Sequence, residues 1–275
     1  MSRLLVIAFV VAIPVAALGQ TKSKGILLEN LTWVEAQKIL SEKTVVVLPL
    51  GAAAKEHGPH LKLKNDWLIA EYLKQRVLAG ANVVIAPTVN YNFYPAFLEY
   101  PGSTSLRLET ARDLIVDICK SLARFGPRRF YVLNTGVSTL RALRPAAELL
   151  AKEGILLHYT DILKVLGPVE KAIGKQEGGT HADEIETSMM LYMAPQTVDM
   201  KKAAKDYHPS EERGLTRDPK GRGVYSATGI YGDATLATRE KGRVLTQALV
   251  SGILKEIEDL RHTEVTQPAN LNRVN

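Results

Sequence analysis

Four short apolar runs, each separated from the next by a stretch of helical periodicity, constrain this chain more than any other feature. The first, TVVVLPL over 44–50, is a continuous β-branched run of the kind that lies buried on both faces of a sheet. It stops at Gly51, a loop runs to Asn65, and residues 66–78 then place Leu68, Ile69, Tyr72, Leu73 and Val77 on one helical face. The pattern repeats: strands at 82–87, 128–134 and 154–160, helices at 108–125 and 140–153. Thr32 caps a short helix reaching Leu40, and 239–261 forms a long final helix. Strand and helix alternating in this way predict an α/β fold, a mostly parallel central sheet with helices on both faces. The stretch 206–223, rich in charge, Pro and Gly, reads as a surface loop.

At 275 residues and 46% hydrophobic, the chain can bury one sizeable core, and one domain accounts for the whole pattern. Its net charge of +6 is scattered among acids with no basic arm and no aromatic-plus-basic motif, so no nucleic acid is expected as a partner. The first residues point elsewhere. Arg3, an apolar stretch from Leu4 to Leu18 and the small-residue ending Ala17-Leu18-Gly19 have the layout of a secretory signal peptide over 1–19. That stretch is shorter than the roughly 20 residues a membrane span needs. The expectation is an exported protein, periplasmic or secreted, whose mature domain spans 20–275 and has no membrane association after cleavage; an uncleaved anchor is the alternative. Cys119, the single cysteine, falls in the apolar pattern Leu114-Ile115-Ile118-Leu122 and reads as core.

Ligands of such sheets bind outside the carboxyl ends of the strands, so the chemistry belongs in the loops after Leu50, Pro87, Asn134 and Thr160. The first of these loops, GAAAKEHGPHLKLKND, holds Glu56, His57, His60 and Asp66, and two of the six histidines of the chain. Imidazole and carboxylate are the natural ligands of zinc and similar divalent ions, although polar caps and turns use the same residues. A second cluster, GGTHADEIETSMMLYM over 178–193, reads as a helix that Thr180 and Asp183 open in the manner of a capping box. Ala182, Ile185, Met189 and Tyr192 form its buried stripe, Glu184 faces solvent, and His181 projects from the same end of the sheet as the first loop. Glu186, among apolar neighbours, needs a partner, and a metal would serve.

Three segments, LPLGAAAKEHGPHLKLKND, YPGSTSLR and THADEIETSMM, together resemble the creatininase family, and the likeness runs from about Leu31 to Gly242. The resemblance implies a three-layer α/β/α sandwich, usually a homo-oligomer (a hexamer), in which two divalent metals hydrolyse a small cyclic amide or similar C–N bond. By position, it makes His57, Asp66 and Glu186 metal ligands, with Asp66 at the bridging place, and puts His181 where a histidine acts on substrate. Two departures accompany it. Lys55 stands where members carry a glutamate, with a carboxylate one place later at Glu56, and Gly136 replaces a histidine after the third strand. Both losses fall on the same metal, which leaves a one-metal site, zinc in the first instance and manganese in the second, with the Lys55 ammonium in place of the missing cation. On this reading Glu56 is the base if it is not a ligand, His181 the proton donor and Lys55 the oxyanion partner. Asn134, Tyr94 and Thr180 line the pocket for a small-molecule amide, the aromatic 91–100 loop serving either pocket or subunit interface. His60 stands behind the ligands. A non-catalytic exported binding protein and a metal-dependent peptidase are the competing functions.

Overall fold

A computed structural model describes residues 23–210, 212 and 214–265. The segment at 1–19 that reads as a signal peptide and the last ten residues lie outside the described residues. In chain order the main elements are β1 (Ile26–Leu27), α1 (Trp33–Ile39), β2 (Val45–Leu50), α2 (Asn65–Gly80), β3 (Val84–Ile85), α3 (Leu108–Ala123), β4 (Arg129–Asn134), α4 (Leu140–Ala151), β5 (Leu156–Tyr159), α5 (Ile162–Ile173), α6 (Glu184–Met193) and α7 (Arg239–His262). The five strands form one sheet in the order β1-β3-β2-β4-β5, every pair parallel.

Alternation along the two central strands builds both sides of the sandwich. Val45, Val47, Tyr131 and Leu133 pack into a core with Leu73, Val77, Met190, Leu249 and Ile253 of α2, α6 and α7. Their neighbours Val46, Leu48, Phe130 and Val132 turn to the opposite face, against Ile115, Cys119, Leu143 and Leu150 of α3 and α4. The result is a three-layer α/β/α sandwich with Cys119 in its core, where burial pushes the thiol up to about 12. Thr32 caps α1 in a full capping box with Glu35. Among the described residues, no helix is long and apolar enough to cross a membrane.

Three features differ from the sequence reading. Edge strand β1 is only two residues long, too short to carry a pattern. Helix α5 carries Pro168 in its interior, a helix breaker by propensity that tertiary packing tolerates here. The 206–223 excursion is not all loop: Leu215–Thr216 pairs in parallel with Val224–Tyr225, and Lys205–Asp206 pairs with Gly232–Asp233.

Candidate metal centre

Strand β2 ends at Leu50, in register with Asn134 at the end of β4, so both following loops rise from the same edge. Gly51 lets α2 start against the strand: a Cβ there would collide with the Asp66 carbonyl oxygen and the Ala70 side chain. The Trp67 N–H donates to the Ala52 carbonyl at 3.0 Å and latches the helix end in place. Asp66, in the first turn of α2, is thereby held under the loop. That loop is pinned from outside by Ser103, whose hydroxyl accepts the Glu56 N–H at 2.9 Å.

The other half comes from the start of α6. Its N-cap is Asp183, which accepts the Ile185 and Glu186 N–H groups at 3.0 Å each, and not Thr180. A cap satisfies donors one to three residues ahead, and only Asp183 stands at that distance from the first helical turn. Thr180 lies exposed, its N–H on the Tyr231 carbonyl, so no polar contact turns it toward the centre. Glu184, read as solvated, is fully buried, ion-paired with Lys241 and capped by the N–H groups of Lys175 and Gln176. The charge of Lys241 on α7 is what makes that burial tolerable.

The two halves bring their polar side chains together. His57 Nε2 lies 2.8 Å from Asp66 Oδ1 and 3.4 Å from Glu186 Oε1. One donor atom each from His57, His181 and Glu186 falls within 4.8 Å of the others. His181 Nδ1 faces Glu186 Oε2 at 3.8 Å, and its Nε2 meets Glu56 Oε2 at 3.1 Å. The Lys55 ammonium sits 2.7 Å from Asp66 Oδ2, with only 6% of the Lys55 side chain exposed. It lies 4.8 Å from the Phe97 ring and 5.7 Å from that of Tyr94, an apolar cage that leaves Asp66 as its ionic partner. The Phe97 ring also packs on His181, centroids 4.4 Å apart.

The donor set suits a cation. His57 Nδ1 donates to the Lys55 carbonyl at 2.9 Å, so a neutral ring turns the Nε2 lone pair on two carboxylate oxygens. Three acceptors facing one another need either a proton or a metal ion between them. Burial and the Lys55 charge push the His57 pKa down, but Asp66 and Glu186 prevail and hold it up at about 9. Burial likewise opposes ionisation of Asp66 and Glu186, yet Lys55 and His57 keep the first below the usual carboxylate range, and His57 and His181 keep the second well below it. A divalent ion, with neutral imidazole and carboxylates as ligands, replaces that proton naturally.

The remaining sequence-read residues divide. Tyr94 is buried with its hydroxyl unpartnered, and burial and the Asp66 charge raise its pKa well above the ordinary value. Asn134 spends both amide donors on the Gly136 and Thr160 carbonyls and its oxygen on Thr139 Oγ1 and the Gly136 N–H. It braces the turn carrying Gly136 and has no hydrogen-bonding capacity left for a ligand. His60 bonds Thr187 of α6 at 2.8 Å and is kept neutral by burial, its pKa lowered to about 4. Two residues at the centre escaped the sequence reading. Phe97 was hidden in an aromatic loop, and Asn65 gave no signal, because a polar residue just before a helix is ordinary.

A layered α/β protein with a His–carboxylate cluster buried at the carboxyl edge of a parallel sheet has the donor set of a metal-binding protein. The sequence pattern described as Creatininase, creatinine amidohydrolase, matches residues 29–257. The chain belongs to the creatininase family, a family of metal-dependent amidohydrolases. The creatinine amidohydrolase of Pseudomonas putida is 26% identical over 256 residues, covering 86% of this chain and 98% of that protein. The mycofactocin precursor peptide peptidase of Mycobacterium ulcerans (strain Agy99) is 27% identical over 228 residues, 77% of this chain and 84% of the relative. A solved creatininase variant of Zn-Zn type superposes with a TM-score of 0.70 at 25% identity, over 88% of this chain and 100% of that one.

Proposed function

We propose that this chain hydrolyses the C–N bond of a small uncharged amide or cyclic amide, using one divalent cation held by His57, Asp66 and Glu186. The observation that carries the reading is the position of Lys55. Asp66 has one oxygen on His57 and the other on a buried ammonium at 2.7 Å, so the place for a second cation beside it is taken by the chain itself. A Cβ on Gly136 would meet Thr139 Oγ1 first, at 3.3 Å, with the Tyr94 ring 3.9 Å away, so this turn packs against its own Thr139 and beside Tyr94. Three carboxylates (Glu56, Asp66 and Glu186), one ammonium and one dication sum to zero charge, and a neutral, nearly closed site favours a neutral substrate.

Held by His57, Asp66 and Glu186, a divalent cation would supply Lewis acidity and would lower the pKa of water from about 15.7 toward roughly 7. Glu56 is placed to take the proton of the attacking water. It shares that proton with His181 across 3.1 Å, and His181 delivers it to the leaving nitrogen. The Lys55 ammonium adds fixed positive charge where the carbonyl oxygen gains negative charge. Tyr94 offers a hydroxyl with no other partner to the substrate. His181 has a second role open to it as a ligand, because it closes the 4.8 Å group with His57 and Glu186.

Purified mature protein, stripped and titrated with Zn²⁺ or Mn²⁺, is expected to take up one ion per chain, and His57→Ala and Asp66→Ala are expected to lose it. His181→Ala should abolish turnover while keeping the metal; loss of the metal as well would make it a ligand. A panel of lactams, cyclic ureides and short peptides separates amidohydrolase from peptidase, the reading favoured by the mycobacterial relative. A protein that stays metal-free, or binds these compounds without cleaving them, overturns the proposal. Export belongs to the same reading and is tested by the mass of the protein recovered outside the cytoplasm, which should begin near residue 20. Light scattering of that protein tests the homo-oligomer.

A further inference from the structure

Glu186 is the only one of the three carboxylates at the centre that reaches it from α6, and a glutamate side chain has three rotatable bonds to hold. Two N–H groups hold it. Asn65, fully buried as the first residue of α2, donates its Nδ2 to Glu186 Oε1 at 2.9 Å. The Ala182 backbone donates to Oε2 at 2.8 Å. Ala182 is the one non-glycine among the described residues with a left-handed backbone (φ +49°), a conformation that disfavours a side chain and that the surrounding structure enforces. Each carboxylate oxygen is thus gripped from one side, and Oε1 and Oε2 still face His57 Nε2 at 3.4 Å and His181 Nδ1 at 3.8 Å.

The Asn65 amide is oriented by this contact. Reversed, its oxygen would meet the carboxylate, and in the observed orientation that oxygen is buried with no partner. Leaving an acceptor unsatisfied costs free energy, so the donation to Glu186 is what the position retains. The donor is also neutral. Asp66 is paired with the Lys55 ammonium, whereas the Asn65 and Ala182 N–H groups orient Glu186 without bringing a charge of their own.

We infer that Asn65 is a positioning residue that fixes the Glu186 carboxylate in the orientation that receives the divalent cation; the inference rests on the one-metal reading. Asn65→Leu keeps the size of the side chain and removes the donor, and Asn65→Ser is the smaller second variant. Zinc affinity is measured by chelator competition on the mature protein, with the visible spectrum of the Co²⁺-loaded form and the melting of the metal-free form alongside. Both variants are expected to bind Zn²⁺ about 10- to 100-fold more weakly. Their Co²⁺ bands should shift while metal-free melting stays near wild type. Wild-type affinity and an unchanged Co²⁺ spectrum in either folded variant overturn the inference and leave the metal reading intact. A loss of affinity that only tracks loss of the metal-free fold in both variants overturns it too. Failure of the wild-type protein to bind Zn²⁺ or Co²⁺ removes the metal reading, and this inference with it.

Discussion

Lys55 shows how much one side chain decides. Its ammonium pairs with Asp66 at a point where both side chains are almost wholly buried. Removing one partner of such a pair strands the other charge, at a cost of about 3–5 kcal/mol. Lys55→Met is therefore expected to destabilise the metal-free protein by about 3 kcal/mol in urea unfolding, with part of the loss recovered in excess Zn²⁺ or Mn²⁺, which supplies the missing positive charge. Glu170 makes a different prediction. Burial and the nearby Asp183 carboxylate raise its pKa to about 7 from an ordinary 4.5. The folded state then holds this proton more tightly than the unfolded state, so the contribution is present at low pH and is lost as pH rises from about 4.5 through 7. Glu170→Gln should flatten the fall of stability across that window, measured by denaturant midpoints at several pH values. At this scale His57 and Asp66 stood out as candidates in a His–carboxylate loop that follows a buried strand, and Glu186 as a carboxylate among apolar neighbours. Asn65 did not, because its role depends on a partner 121 positions away.

The elements set the geometry of the centre. Capping by Asp183 satisfies two N–H donors at the head of α6 and brings Glu186 into the first turn. Asp183→Ala is expected to cost about 1 kcal/mol, within the usual range for a lost cap, and to weaken metal binding, as read by melting and by chelator competition. Gly51 governs the other side. Adding a methyl group there forces α2 away from the end of β2, so Gly51→Ala should cost about 1–3 kcal/mol and lower metal affinity, since Asp66 moves with its helix. Periodicity and length revealed β2, β4, α3, α4 and α7, which run six residues or more. It missed two-residue β1 and also α5, whose interior Pro168 argues against a helix, and it misplaced the start of α6 because Thr180 and Asp183 are both good capping residues. Choosing between them takes the backbone path, in which Thr180 and His181 pair with Tyr231 before the helix begins.

For the whole molecule, α6 and α7 are packed so closely that a Cβ on Gly242 would collide with the Ser188 carbonyl oxygen. Gly242→Ala is expected to lower stability by about 1–3 kcal/mol in urea unfolding, with no residue of the centre touched. The sequence by itself determined the alternation that makes a parallel sheet and the edge of that sheet where the polar loops gather. It also determined the identity of the carboxylates and imidazoles there, since hydrophobic period and residue chemistry are local properties. Tertiary structure alone decided which of those groups face one another. Asn134 turned inward to brace its own loop, Glu184 went to Lys241, and Lys55 closed on Asp66. Burial is the reason: once water is excluded, every charge and every hydrogen-bonding group must find its partner within the protein, and those partners come from elements far apart in the chain.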